Sequence, residues 1–267
     1  MTSTPSDWNA SDYAKNSSAQ LVWAQELIEK LALQGTETLL DIGCGDGKIS
    51  ARLAEILKHG QVLGVDASPA MIQLAARQFP PQTFPNLSFV EMDAADLHLP
   101  RRFDVAFSNA TLHWVKDQSA VLRGVHACLN PRGRLLFQLG GRGNADDVMA
   151  VITRLITQPH WAPYFTDFTP PYNFCGDQEY SSWLRAARFR PLRVELIQKD
   201  MTHPNPAGLL GWLRTTWFPY TDRLPVDLRE PFLAQVVENY LQAHPLDVLG
   251  QTHVGMVRLE VEAESLE

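Results

Sequence analysis

The ten residues Leu39-Leu40-Asp41-Ile42-Gly43-Cys44-Gly45-Asp46-Gly47-Lys48 constrain the fold more than any other part of the chain. An apolar run stops on three glycines at alternate positions, and a stretch with helical spacing follows over 48–57. A short apolar run ended by glycine is the pattern of a strand buried on both faces of a parallel sheet. Gly43, Gly45 and Gly47 allow a tight turn and let a bound molecule approach the backbone closely. Such a turn also serves simply to pack a helix against its strand, so by itself it names no ligand.

The same alternation recurs downstream. Apolar runs at 61–65, 87–92, 103–108 and 134–139 read as strands, and 68–79 and 120–129 read as helices. Ser68-Pro69 is an N-cap and first-turn pair, and Asn130-Pro131-Arg132-Gly133 reads as a turn between helix and strand. Upstream, 18–33 places Leu21, Val22, Ala24, Leu27, Ile28 and Leu31 at helical spacing. Strands separated by helices of this length predict βαβ units around a parallel sheet, hence a doubly wound Rossmann-like α/β fold. Beyond Gly140 the pattern changes. Helices are expected over 144–158 and 178–187, an irregular segment over 159–176, and strands over 193–199 and 252–261. The block 204–245 carries Trp212, Trp217, Phe218, Tyr220, Phe232 and Tyr240 and reads as a helical cap inserted before the final strand. The expected organisation is a helical lid segment at 1–34, the Rossmann-like domain at 35–203 and 246–267, and the cap at 204–245.

Composition narrows the partners. The 267 residues are 45% hydrophobic and 20% charged, enough to bury a core. A formal net charge of -7 and the absence of a Lys/Arg run argue against nucleic acid as the main partner. Cys44, Cys128 and Cys175 are odd in number and far apart, form no metal-binding spacing, and read as reduced thiols. The polar start has no signal-peptide pattern, and no apolar run approaches the ~20 residues that span a bilayer. A cytoplasmic chain with no metal and no membrane partner is expected, with a monomer favoured.

Two acids join the glycine turn. Asp41 stands just before Gly43, and Asp66 closes the second strand in Val65-Asp66-Ala67-Ser68, where a carboxylate accepts both hydroxyls of a ribose. Nicotinamide dinucleotides use the same logic but prefer G-x-G-x-x-G, and here the third glycine comes one residue early. After the third strand, Glu91-Met92-Asp93-Ala94 puts Asp93 and the Ala94 N–H where an adenine ring would lie, although Asp93 could equally cap a helix.

The ordered set Asp41, glycine turn, Asp66 and Asp93 resembles the class I S-adenosylmethionine-dependent methyltransferases over roughly 20–139. The resemblance implies a seven-stranded sheet whose last strand is antiparallel, with S-adenosylmethionine as cofactor. Asp41, Gly43, Cys44, Gly45 and Gly47 would cradle its methionine part. Asp66 would lie at the ribose and Asp93 and Ala94 at the adenine, with Ala67 and Met71 as further cofactor contacts. Asn109 and Ala110, in Asn109-Ala110-Thr111-Leu112-His113-Trp114, would lie beside the sulfonium. Tyr13, Ser18-Ala19-Gln20, the 109–114 stretch and the inserted cap are most similar to the trans-aconitate methyltransferase-like branch. That implies a small-molecule acceptor, an organic acid above all, with Gln20 and Trp114 holding its carboxylate.

A carboxylate, with pKa near ~4, is already ionised at neutral pH and needs no base, whereas a phenol or carbon acid does. His113 is the candidate base for a hydroxyl or carbon acceptor, or else a wall of the pocket. Arg142, in a glycine-rich loop, could pair with a second carboxylate or remain solvated. Trp212 and Trp217 could line an apolar acceptor chamber or form the cap's own core.

Overall fold

The computed structural model describes residues 18–100 and 102–267, with the side chains of 18–22 left outside the description. Tyr13 and the Gln20 side chain therefore lie outside the described residues.

The chain runs α1 (Ser18–Lys30), β1 (Thr38–Ile42), α2 (Lys48–Ile56), β2 (Gln61–Asp66), α3 (Pro69–Gln78), β3 (Leu87–Glu91) and β4 (Phe103–Asn109). It continues through α4 (Gln118–Cys128), β5 (Leu129–Gly140), α5 (Asp146–Ile156), α6 (Asp177–Ala186) and β6 (Phe189–His203). Three helices, α7 (Pro206–Thr216), α8 (Phe218–Thr221) and α9 (Val226–Ala243), precede β7 (Thr252–Ser265). The strands form one seven-stranded sheet in the order β3-β2-β1-β4-β5-β7-β6. β1 to β5 pair in parallel, and β7 pairs antiparallel to β5. The doubly wound sheet with an antiparallel last strand is the expected one.

Two compact units share the chain. The sheet unit comprises 20–142, 172–197 and 258–267, and the helical unit comprises 143–171 and 198–257 together with 18–19. In the sheet unit, neighbouring strand residues feed opposite faces, as a period of two demands. Leu39, Val62, Val105, Phe107 and Leu136 pack with Leu27 and Ile28 of α1, with Leu31 just after it, and with Leu53 of α2. Leu40, Leu63, Val65, Ala106 and Phe137 pack with Val121, Leu122 and Val125 of α4 and Tyr180 of α6. Both faces are therefore buried, which explains why the strands read as continuous apolar runs rather than alternating ones.

Two local expectations need correction. The turn expected at 130–133 lies inside β5 as a bulge. Phe103 pairs with Leu129 and Val105 with Arg134, so 130–133 faces Asp104 alone. Asn130 Nδ2 donates to Asp104 Oδ1 at 2.7 Å, and Arg132 turns the chain at φ 62°. The strand expected at 193–199 runs from Phe189 to His203, because neighbouring β7 is also long. Ser68 caps α3 as expected, its Oγ accepting from the Met71 N–H at 3.4 Å.

The helical unit has its own aromatic core. Trp161 packs edge-on against Phe232 at 5.1 Å and donates from Nε1 to Gln235 Oε1 at 2.8 Å. Phe165 stands 5.7 Å from the same Phe232 ring. Among the described residues no helix is long and apolar enough to cross a membrane.

Candidate functional site

The C-terminal ends of β1, β2 and β4 meet in the sheet unit, the edge where open α/β sheets bind ligands. Gly43 N and Cys44 N both donate to Val65 O, at 2.7 and 3.0 Å, which ties the glycine turn to the end of β2. Gly43, Gly45 and Gly47 all take positive φ, 75°, 54° and 82°, a region that residues with a Cβ enter only under strain. The three glycines do different things. A Cβ on Gly43 would run into the Thr111 side chain, and one on Gly47 would meet Phe89 and Ala75. At Gly45 an added Cβ would meet nothing within 4 Å. Gly45 is thus the point where the loop backbone is open to a ligand, while its neighbours are packing glycines.

Asp66 organises this loop. Its Oδ2 accepts from Gly45 N and its Oδ1 from Ser68 N, both at 2.9 Å. Burial raises the Asp66 pKa against the opposing pull of the Ser68 and Gly45 N–H groups. Beneath the loop, Asp41 is 2% exposed and accepts from Ser50 Oγ at 2.6 Å. Burial pushes its pKa up to about 7, the Ser50 bond opposes the rise, and the Asp66 charge adds to it. Lys48 Nζ lies 2.8 Å from Asp46 Oδ2. Met71 is buried on α3, Ala67 is exposed at the end of β2, and Cys44 is a buried thiol in the turn.

At the end of β3, Asp93 is exposed and its Oδ1 accepts from Ala95 N at 2.8 Å, while Ala94 beside it is buried. One oxygen of Asp93 is therefore engaged in a local turn.

At the end of β4, Ala110 takes φ 56° and donates its N–H to Gln138 O at 2.8 Å. Asn109 Oδ1 is buried with no hydrogen-bond partner, a condition that folded proteins seldom leave unanswered. An opening over Gly45 and an orphaned amide oxygen at Asn109 fit a polar, donor-bearing ligand laid along the strand ends.

His113 follows in a single 3-10 turn, Leu112–Trp114. Its Nδ1 accepts the Gly140 N–H at 3.3 Å, which fixes the neutral tautomer with hydrogen on Nε2. Burial, helped by the Arg258 charge, pushes its pKa down to about 3. Trp114 packs on Tyr172 at 4.9 Å, and His113 stands 5.9 Å from Phe174. Asn173 N donates to His113 O at 2.7 Å, and its Nδ2 reaches Lys116 O at 3.1 Å.

Tyr172, Asn173 and Phe174 were not foreseen, since 159–176 carries no periodicity. Arg258 was not foreseen either. It is 4% exposed on β7, its guanidinium lies 4.7 Å from the Trp23 ring centre, and it pairs across the sheet with Gly140. The density of aromatics in 159–176 was the one available signal for the first group. Arg142 pairs with Glu179 Oε2 at 2.8 Å and is largely exposed. Trp212 and Trp217, both 3% exposed, belong to the helical unit. Among the described residues no group of His, Cys, Asp or Glu could hold a metal ion.

The comparisons with known proteins bear on this arrangement. Residues 40–137, from β1 to β5, match a family model described as "Methyltransferase domain". The chain is 32% identical to an uncharacterized methyltransferase of Schizosaccharomyces pombe over 196 residues, 72% of this chain and 74% of that one. It is 26% identical to trans-aconitate 2-methyltransferase of Escherichia coli over 265 residues, 98% of this chain and 100% of that one. Among solved structures, an O-methyltransferase from a Brevibacillus brevis trans-AT PKS multienzyme, in complex with S-adenosylhomocysteine, superposes with TM-score 0.56. The identity is 12%, covering 97% of this chain and 78% of that one, so the likeness is one of fold. The glycine turn and its two acids, Asp41 and Asp66, lie inside the matched segment, on the strand ends where open α/β sheets bind ligands. The chain belongs to the class I S-adenosylmethionine-dependent methyltransferases, in the trans-aconitate methyltransferase-like branch.

Proposed function

We propose that the protein transfers the methyl group of S-adenosylmethionine to a carboxylate oxygen of a small organic acid. The observation that carries the acceptor is the state of His113. Its Nδ1 lone pair is taken by Gly140 N–H and its pKa lies about 3, so it stays neutral with a proton on Nε2. A residue in that state donates a hydrogen bond and is a poor proton acceptor. A hydroxyl or carbon acceptor would need a base at this place, while a carboxylate needs none. The full-length similarity to trans-aconitate 2-methyltransferase points the same way.

The cofactor supplies an electrophilic methyl carbon on a sulfonium, and an acceptor oxygen displaces the sulfur in line. The protein's task is then alignment and exclusion of water. In this reading Gly43, Cys44, Gly45 and Gly47 offer backbone to the methionine part, with Asp41 beneath them. Asp66, Ala67 and Met71 border the ribose, Asp93 and Ala94 the adenine, and Asn109 and Ala110 the reacting end. Trp114, fixed by Tyr172, and Gln20 orient the acceptor carboxylate through neutral N–H donors. Such donors hold an anion without depleting its charge as a guanidinium would. Tyr13, outside the described residues, is a further candidate contact for the acceptor. Arg142 is already paired with Glu179 and would serve a second carboxylate only by exchanging partners.

Isotope-labelled cofactor offered with a panel of small acids, trans-aconitate included, and of phenols should label only acids, as a base-labile ester. A base-stable product, or labelling of phenols alone, would sink the carboxylate reading. No inflection of the rate that depends on His113 should appear from about pH 6 to 9, because His113 does not titrate there. An inflection near the ordinary histidine pKa that vanishes in His113→Gln would restore His113 as a base. The same shift has a stability sign. Between about 3 and 6.5 the unfolded His113 binds a proton that the native one refuses, so its contribution to stability is lost as pH falls through that window.

Asp41 gives an opposite signature. With a native pKa about 7, it binds a proton between about 4 and 7 that the unfolded chain has released. Its ionisation thus costs stability as pH rises through that range. Asp41→Asn should raise apo-protein stability at pH 8 by roughly 1–3 kcal/mol. It should also weaken S-adenosylmethionine binding by about tenfold, through loss of a carboxylate near the cationic ligand. Calorimetry and thermal melts of the two proteins check both halves, and lowered stability with unchanged affinity contradicts them.

A further inference from the structure

The helical unit buries polar atoms that nothing around them satisfies. His203 Nε2, Trp212 Nε1 and Thr252 Oγ1 all lack a hydrogen-bond partner, in residues only 8%, 3% and 1% exposed. Folded proteins rarely leave such groups unpaired, and three in one small unit call for a physical reason.

The three sit on elements that converge. His203 is the last residue of β6 and Thr252 the first of neighbouring β7. His253 Nδ1 lies 2.6 Å from Asp200 Oδ2, which sets the end of one strand beside the start of the other. The helix α7 begins directly after β6, capped by Asn205 Oδ1 accepting from Gly208 N at 2.9 Å, and carries Trp212 back to His203. The two rings are 5.7 Å apart. Trp217 follows at 5.9 Å from Trp212, and Tyr220 at 5.9 Å from Trp217, so an aromatic wall extends from the polar group.

The chemistry of the donors selects the ligand. An indole N–H can only donate, a threonine hydroxyl can donate, and a neutral imidazole can donate from Nε2. Burial lowers the His203 pKa, with Asp200 opposing, which favours the neutral ring. A cation would be repelled by the Trp212 N–H, and a purely apolar group would leave all three atoms unpaired. An oxygen with several lone pairs, attached to a carbon skeleton that packs on the aromatic wall, answers both features. We propose that His203, Trp212 and Thr252 form a binding site, within the helical unit, for a carboxylate of a small organic acid. This rests on the acid reading given above and assigns the helical unit a carboxylate site of its own.

The test uses the full chain, trans-aconitate as probe, and Thr252→Val and Trp212→Phe. The first variant removes only a hydroxyl at nearly constant shape, and the second removes the N–H with part of the ring. Each should weaken acid binding, measured by calorimetry, by about tenfold, while S-adenosylhomocysteine affinity is unchanged. Without ligand, Thr252→Val should melt no lower than wild type, since a group with no partner contributes nothing when removed. A clear drop in that melting point would overturn the proposal, because it would show the hydroxyl already bonded inside the core. Unchanged acid affinity in both variants, in a chain that does methylate an acid, would overturn this site alone. A wild-type chain that takes no acid would overturn the acceptor reading and this site's ligand with it.

Discussion

Asp66→Ala is expected to abolish measurable binding of S-adenosylhomocysteine, a loss of roughly 100-fold or more. Two effects combine. Each Asp66 oxygen already accepts one backbone N–H, from Gly45 and from Ser68, and each keeps a second lone pair for a ligand hydroxyl. Charge-assisted hydrogen bonds are worth roughly 1.5–3 kcal/mol each, so losing two toward a ribose costs roughly 3–6 kcal/mol. The loop itself also loses its anchor at Gly45, the residue most open to a ligand. Asp66→Asn should do almost as badly, because an amide offers one oxygen and turns its NH2 toward one of two N–H donors. Asp66→Glu should retain part of the affinity. Calorimetric titration, with thermal melts to confirm folding, reads all three, and unchanged affinity in a folded Asp66→Ala would remove Asp66 from the cofactor site.

The parts of the molecule legible in sequence are those governed by local rules. The first strand, turn and helix follow from glycine conformations and from a sheet buried on both faces. The apolar run that stops on the glycines is the strand Thr38–Ile42, and the helical stretch 48–57 matches Lys48–Ile56 to within one residue. Asp66 was legible because a strand end is a fixed place in the topology. Its grip on Gly45 was not, because it depends on how the loop folds back over β2. The stretch 130–133 has turn composition, and whether it ends the strand or bulges within it depends on pairing with Asp104 across the sheet.

Long-range packing hid the rest. The segment 159–176 lacks any period, yet it supplies Trp161 and Phe165 to the helical core. Its last residues include Asn173, which holds His113. Arg258 looks like any outward residue of an alternating strand. It is inside because β5 and Trp23 enclose it, and its charge then helps to keep His113 neutral. The residue most informative about the acceptor thus owes its state partly to a charge, that of Arg258, more than 100 positions away in the chain.

The second large effect is expected at Gly43, where Gly43→Ala should destabilise the protein by roughly 3–5 kcal/mol. The backbone there stands at φ 75°, so any side chain begins with conformational strain. The added Cβ would also fall 2.0 Å from Thr111 Cγ2, well inside contact distance. Thr111 cannot simply turn away, because its Oγ1 donates to Gly43 O at 3.0 Å and fastens the β4 exit to the glycine turn. Relief would require the 109–114 stretch to move, carrying Ala110, His113 and Trp114 with it. Against a total stability of about 5–15 kcal/mol, such a loss leaves a marginal fold. Thr111→Ala should cost far less alone and, combined with Gly43→Ala, should recover the steric part while the φ strain remains. Gly45→Ala is the control, since it carries similar φ strain with no atom to strike. Chemical denaturation of the four variants separates the terms. If Gly43→Ala melts no lower than Gly45→Ala, packing against Thr111 is not what requires a glycine at that position.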